Sequence, residues 1–483
     1  MLRWKVVLYV LGFVFMIMGT AMLFPLLFAL WYEDASFLPL LFSSTFALVV
    51  GGGLVLIFKG IDRESLSVKE SMATVSLAWI GAGMIGALPF FFSSSLPSFT
   101  DCFFETISGL TTTGASVLSN IEALPRGLLM WRSLTHWLGG MGIILLSLII
   151  LPLLGVGGMQ LYRAEVPGPL PDKLSPRLKD TALILWKVYL LLTLAEIFLL
   201  RIGGMSLFDS IAHTFGTMAT GGFSTKNLSI GHYSSTYIHV VITVFMFLAG
   251  ANFTLHFKGL QGDFRSYFRD IEFRYYVGIT LAMIGIVTWN LWGEVYKGLG
   301  DALKYASFQV VSILTTTGYA TADFEKWRPL SKAILLIAMF IGGCAGSTGG
   351  GIKVVRMVVM WRHIRGEVKK VLHPRAVFSV KLGKTKLSSD VMGSIWSFFF
   401  LYLIIVVMSF VILTSLGVDM ETSLYASVAC MGNIGPGFAG VGPMDNYAHL
   451  PGMAKWVLSF CMILGRLEIY TLLVLFSRNF WEK

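Results

Sequence analysis

Charge is scarce in this sequence. Of its 483 residues only 13% are Asp, Glu, Lys or Arg, about half of the roughly 25% usual in soluble domains. That shortfall argues against an ordinary soluble protein. Cysteine is scarce too. Cys102, Cys344, Cys430 and Cys461 stand far apart and form no CxxC, so neither a disulfide framework nor a thiolate cluster is expected, and the four read as small apolar packing residues. Catalytic signatures are also missing: there is no HExxH, no GxSxG and no Walker A. The run GSTGGGIK, Gly346 to Lys353, lacks the G-K-[ST] ending of a phosphate loop and lies between apolar stretches. These absences weigh against an intramembrane enzyme and against a bound nucleotide or other cofactor.

Apolar residues are abundant, at 55% of the chain. Runs of about 18 residues or more recur, each long enough to cross a ~30 Å hydrocarbon core as a helix. The first, Val6 to Trp31, is too long for a signal-peptide core and reads as a retained helix. The net charge is +10, and its distribution carries information. Most Lys and Arg gather in Met1–Lys5, Lys59–Lys69, Arg163–Lys179, Lys258–Arg274, Lys353–Lys386 and Arg478–Lys483. The intervening loops carry acids instead, among them Glu33, Asp34, Glu122, Asp323, Glu325, Asp419 and Glu421. By the positive-inside rule the basic segments face the cytoplasm. Both termini then lie inside and the number of crossings is even. Nucleic acid is not an expected partner, because the charge sits in short juxtamembrane loops without a soluble domain.

Two apolar helices come first, over Val6–Trp31 and Phe37–Phe58. A repeating unit follows: a long apolar helix, a shorter segment, a Gly/Thr-rich loop and another apolar helix. The loops are TTTGAS, ATGGFST, TTTGYAT and GNIGPGFAG, aligned on Gly114, Gly221, Gly318 and Gly435. A repeat of this size is a whole supersecondary unit. The expected divisions are 1–66 for the helix pair, then 67–158, 159–262, 263–386 and 387–483 for four repeats. The short segments are too short to span and read as re-entrant helices, which leaves ten crossings. Glu105 and Gln309 occupy one position of the first and third short segments, within reach of the loops. Exposed backbone at membrane depth survives only where protein surrounds it or it lines a wet cavity. One such loop alone is more simply a close helix contact. Four at near-regular spacing can surround one axis, and stacked rings of carbonyl oxygens can replace the water shell of an alkali cation.

On FFETISGLTTTGA, LPLLGVGGMQLYRAEVPGPL, ATGGFST, IGGCAGSTGGGIK and LGRLEIYTLLVLF, the chain resembles the TrkH/TrkG/KtrB group of bacterial potassium-uptake proteins over nearly its full length. The resemblance implies an all-α integral membrane protein of the bacterial inner membrane, with two N-terminal helices and four helix–pore-loop–helix repeats around one potassium-channel-like pore. It implies potassium as substrate and a filter at Thr112, Thr113 and Gly114, at Ala219, Thr220 and Gly221, at Thr316, Thr317 and Gly318, and at Asn433, Ile434 and Gly435. The loops are unequal, so fewer well-formed ion sites are expected than in a symmetric tetramer. Related plant transporters that carry sodium have serine at the first aligned glycine, and glycine at all four positions here favours potassium. The resemblance also implies a homodimer, and a cytoplasmic TrkA-type partner that supplies nucleotide sensing.

The second helix of the third repeat is interrupted at Gly342, Gly343, Gly346, Ser347, Thr348, Gly349, Gly350 and Gly351, too rich in glycine to remain helical. It reads as a kink with close packing or, by resemblance, as an intramembrane gate, with Lys353 and Arg356 placed to couple it to a partner. Arg466 lies in the last apolar segment, where a charge is costly and a functional candidate by default. The resemblance turns it to the pore below the filter; the plainer alternative is an ion pair, with Glu468 or a short-helix acid as partner. His136 and His213 read as packed, hydrogen-bonded residues. Arg362 to Lys386 reads as a cytoplasmic loop near anionic membrane lipid. The rival function is a secondary transporter coupling potassium to sodium or protons, which usually shows broken helices and paired carboxylates near the midplane.

Overall fold

The computed structural model describes residues 2–60, 67–142, 178–373, 380–382 and 385–481. The segment LPLLGVGGMQLYRAEVPGPL, most of the basic stretch Arg163–Lys179 and the expected boundary at 158/159 lie outside the described residues. Apart from a two-residue hairpin pairing, Lys381–Leu382 with Thr385–Lys386, the described secondary structure is helical.

Helices α1 (Trp4–Trp31) and α2 (Phe37–Ile57) form an antiparallel pair whose contact is set by small residues. A β-carbon on Gly12 would lie 2.8 Å from the Gly51 carbonyl oxygen, and one on Gly51 2.6 Å from that of Gly12. Such close backbone approach is how apolar helices associate where no hydrophobic gain separates helix from lipid. The pair is tied to α3 (Val68–Phe92) by Arg3, whose Nε lies 2.8 Å from Glu70, the residue that closes a capping box with Ser67 at the start of α3.

The remaining helices follow in four successive sets along the chain. α3 is followed by the short α4 (Phe99–Leu110) and by α5 (Arg126–Trp137), which ends in a π-helical turn over Leu138–Gly142. Next come α6 (Leu178–Ile202), the short α7 (Leu207–Met218), α8 (Thr236–Ala249), α9 (Phe253–Leu260) and α10 (Arg265–Arg269). The third set is α11 (Ile271–Leu291), the short α12 (Leu299–Leu314), α13 (Pro329–Phe340) and α14 (Val354–Leu372). The last is α15 (Ser389–Ser415), the short α16 (Met420–Met431), α17 (Gly452–Arg466) and α18 (Tyr470–Leu473). Six described helices are long and apolar enough to cross a membrane, and up to eight spans result if two bent pairs each count as one. Those pairs are α8 with α9, bent by 104°, and α17 with the segment beginning at α18, bent by 116°. The sequence suggests one broken helix. The structure breaks the second helix of the second, third and last sets, and in the first set α5 runs into the π turn, where the described residues stop.

The packing is cyclic. α5 packs on α7, α8 on α12, α13 on α16 and α17 on α4, so each second helix supports the next short helix. Two buried ion pairs lock this arrangement: Lys455 of α17 to Asp101 of α4 at 2.6 Å, and Arg132 of α5 to Glu105 of α4 at 2.6 Å.

Candidate functional site

Three of the four short helices start on a side-chain cap. Ser98, Ser206 and Asp419 accept from the amides of Asp101, Asp209 and Thr422. Backbone and hydroxyl bonds from Thr422 hold the exposed Asp419 carboxyl below its ordinary pKa.

All four short helices end in the same way. The residue after the C-cap is left-handed in each: Thr112 (φ 54°), Thr220 (φ 53°), Thr316 (φ 61°) and Asn433 (φ 54°). In the first loop Thr112 N donates to Gly109 O at 3.0 Å and Thr113 N to Ser108 O at 2.8 Å. The same two bonds recur from Thr220 and Gly221, from Thr316 and Thr317, and from Asn433 and Ile434. This is the Schellman termination, which usually places glycine at the left-handed position. Here β-branched threonine occupies it three times, a strained choice costing on the order of 1–3 kcal/mol each.

Two residues later the backbone is again left-handed, at Gly114 (φ 82°), Gly222 (φ 79°), Gly318 (φ 80°) and Gly435 (φ 92°). The second loop is therefore in register on Gly222. The expected alignment on Gly221 is one residue early. Ala219 is the helix C-cap, equivalent to Thr111, Thr315 and Gly432, and Gly221 corresponds to Thr113, Thr317 and Ile434.

The corrected register closes a ring. A β-carbon on Gly114 would sit 2.1 Å from the carbonyl oxygen of Gly221. One on Gly222 would sit 2.0 Å from that of Thr317, and one on Gly318 2.0 Å from that of Ile434. One on Gly435 would sit 2.5 Å from that of Thr113. Each glycine thus touches the carbonyl before the glycine of the next loop, and no side chain fits between neighbours. On the helix side of this ring the hydroxyl of Thr112 and the Oδ1 of Asn433 are buried without a hydrogen-bond partner among the described residues.

Side chains brace the loops from behind. Glu105 accepts from Ser116 Oγ at 3.0 Å and Val117 N at 2.9 Å, and Arg132 extends the brace by donating to the Ser224 carbonyl at 2.9 Å. In the corrected register His213 is the counterpart of Glu105, and its Nε2 lies 2.9 Å from Ser224 Oγ. Gln309 donates to Ala322 O at 3.2 Å. The fourth position is Ala426, which cannot brace; the Tyr447 hydroxyl instead donates to the Gly435 carbonyl at 2.6 Å. His136 contacts Gly109 O through Nδ1 at 2.8 Å and accepts from Phe223 N through Nε2 at 3.1 Å. Both histidines are hydrogen-bonded structure.

The segment Gly342–Gly351 forms a folded loop against the helix side of the ring. Its neck is closed by Gly342 N to Ile352 O at 2.9 Å and Val354 N to Gly343 O at 3.2 Å. Gly350 N donates to the Thr316 hydroxyl at 2.7 Å, and Thr348 lies 3.4 Å from the Thr220 hydroxyl. The break between α8 and α9 receives it, through Cys344 N to Gly250 O at 2.8 Å and Phe253 N to Gly346 O at 3.0 Å. Lys353 and Arg356 are not turned out towards a partner. Both are buried: Lys353 donates to the Gly349 carbonyl, and Arg356 pairs with Glu468 and lies 3.9 Å from the Phe398 ring centre.

Arg466 spans the same region. It donates to Thr348 O at 2.8 Å, to Gly139 O at 2.6 Å and to Gly140 O at 2.9 Å. Glu468, its expected alternative partner, is engaged by Arg356. The reason is local: α17 ends at Arg466, and Glu468 and Ile469 turn left-handed (φ 56° and 60°), so the two side chains diverge. Sequence reasoning also missed Glu272, in the first turn of α11, whose carboxylate accepts from Ala345 N at 2.8 Å and Val355 N at 2.9 Å.

The model of the TrkH family, described as cation transport protein, matches residues 41–483. The Trk system potassium uptake protein TrkH of Salmonella typhimurium is 41% identical over the whole of both chains, and that of Escherichia coli K12 is equally similar. The TrkG protein of Escherichia coli K12 is 37% identical over 99% of each chain. The crystal structure of the potassium transporter TrkH from Vibrio parahaemolyticus superposes with a TM-score of 0.89 at 36% identity, covering 99% of this chain and 100% of the other. With a full-length match in sequence and in fold, the chain belongs to the TrkH family of cation transport proteins.

Proposed function

We propose that this protein is the potassium-translocating subunit of a bacterial Trk-type uptake system, and that cations pass channel-like through the ring of four loops. The observation that carries this reading is the ring itself: four loops in cyclic order, each glycine against the next loop's carbonyl, so that backbone meets backbone all the way round. The unpartnered oxygens of Thr112 and Asn433 add ligands on its helix side. The names of the relatives supply the ion. The filter is Thr112 to Gly114, Thr220 to Gly222, Thr316 to Gly318 and Asn433 to Gly435. Potassium binds there as substrate, and the chain needs no cofactor of its own. The loop Gly342–Gly351 gates the passage, and Arg466 sets a fixed positive charge beside it. The chain divides into the helix pair and four repeats, makes ten crossings with both termini cytoplasmic, and works in the inner membrane as a homodimer with a TrkA-type regulatory subunit.

The test is ion flux into liposomes holding this protein alone, with potassium, rubidium, sodium and lithium in turn. Fast downhill potassium and rubidium flux without a co-ion is expected. Potassium movement only under a sodium or proton gradient would replace the channel with a coupled transporter. One feature favours that second reading: Glu196 on α6 is wholly buried, with the Thr217 side chain as its hydrogen-bonding neighbour. If coupling is found, Glu196→Gln should abolish it.

A further inference from the structure

The loop Gly342–Gly351 is received by the break between α8 and α9 and by Arg466, and two further sets of contacts bear on how it folds. Its tip touches the ring through Thr348 and Gly350. Its ends meet at one side chain outside the loop. Glu272 is buried in the first turn of α11, and its Oε1 accepts from both Ala345 N and Val355 N. Ala345 lies within the glycine run and Val355 in the first turn of α14, so one oxygen joins the segment entering the loop to the helix leaving it. The backbone bonds at Gly342–Ile352 and Gly343–Val354 close the same neck from inside. The Asp270 side chain caps α11 by accepting from Phe273 N at 2.7 Å, which fixes the turn that carries Glu272.

We propose that Glu272 is the positioning residue that keeps the glycine loop folded across the passage, by accepting both neck amides on one carboxylate oxygen. This rests on the gating reading of Gly342–Gly351. While both amides are held, the two limbs of the loop stay together and its tip stays against Thr316 and Thr220. When the carboxylate withdraws, Ala345 and Val355 are no longer held together, and the loop's fold rests only on its bonds to the ring, to the α8–α9 break and to Arg466. α11 belongs to the first helix of its set, and α9 and α10 lead into it, so a displacement of its basic end reaches the loop through Glu272 without passing through the ring.

The experiment compares Glu272→Ala, Glu272→Gln and the unchanged protein, full length and in liposomes, with two readouts. One is rubidium tracer uptake. The other is the rate at which a small charged methanethiosulfonate modifies Cys344, a fully buried thiol of the loop, followed by mass spectrometry of its peptide. Glu272→Ala is expected to raise both rates about tenfold, the size of effect that follows from losing charge-assisted hydrogen bonds. Glu272→Gln is expected to stay within about twofold of the unchanged protein, because its amide oxygen still accepts both bonds. Where the alanine variant does not fold, Glu272→Asp, whose carboxylate is drawn back from the amides, carries the alanine expectation. Unchanged rates in Glu272→Ala, or a glutamine variant as fast as alanine, would overturn the proposal. Cys344 labelling reports loop opening even if the protein passes no rubidium, so failure of the clamp is distinguishable from failure of the channel reading.

Discussion

Arg466 shows how one side chain is committed by its surroundings. A guanidinium carries five N–H donors in a fixed fork, and here they reach carbonyls on the glycine loop and on the π turn after α5. Its charge stays in place while its donors join two segments that the chain does not connect locally. Arg466→Ala should therefore raise potassium flux through the purified protein by at least about tenfold, since at an effective dielectric near 20 a unit charge still contributes about 1.4 kcal/mol to a cation roughly 12 Å away. Unchanged flux in the liposome assay would remove the charge from the pathway. The arginine was legible from sequence because a charge in an apolar run is conspicuous. Its bonding was not, because the break after α17 carries Glu468 away from it. Glu272 was illegible for the opposite reason. It stands with Asp270 among Arg265, Arg269 and Arg274, where an acid looks like ordinary surface charge.

Among the elements, the long helices were read closely from hydropathy: Val6–Trp31 and Phe37–Phe58 became Trp4–Trp31 and Phe37–Ile57. The second loop was misread by one residue because it offers two adjacent glycines, and Gly221 completes the same Thr-Gly pair that marks the first and third loops. Backbone angles decide between them. Gly222 is left-handed and its β-carbon position meets the Thr317 carbonyl, whereas Gly221 lies outside that region and faces the His136 ring. Gly222→Ala should thus lower potassium flux more than about tenfold, as Gly114→Ala should, since both meet backbone in a strained conformation. Gly221→Ala meets a side chain and should retain more flux. Equal losses in a rubidium uptake assay would return the register to Gly221. The breaks in the second helices were only partly legible. The glycine run betrayed one, but Gly250–Asn252 and Leu467–Ile469 look unremarkable in composition, and their bends arise from what packs into them.

Across the whole molecule, cohesion comes from supports that run from one set to the next. Arg132 serves two neighbours, pairing with Glu105 and reaching the Ser224 carbonyl in the second loop. Arg132→Ala leaves a buried carboxylate unpaired and should destabilise the protein by about 3–5 kcal/mol. A thermal melt of the detergent-purified protein measures this as a lowered Tm, and an unchanged Tm would mean that Glu105 finds another donor. The cyclic order of supports was foreshadowed by the regular spacing of the loops, but which helix carries which loop depends on contacts between segments far apart in the chain. A ring built from one chain also diverges differently from one built of four. In a tetramer of identical chains one codon change alters four positions at once, and few such changes are tolerable. Here each wall is encoded separately. Ala426 with Tyr447 in one quarter and Glu105 with Arg132 in another are independent solutions to the same task, so one quarter of the ring can change while the other three hold their shape.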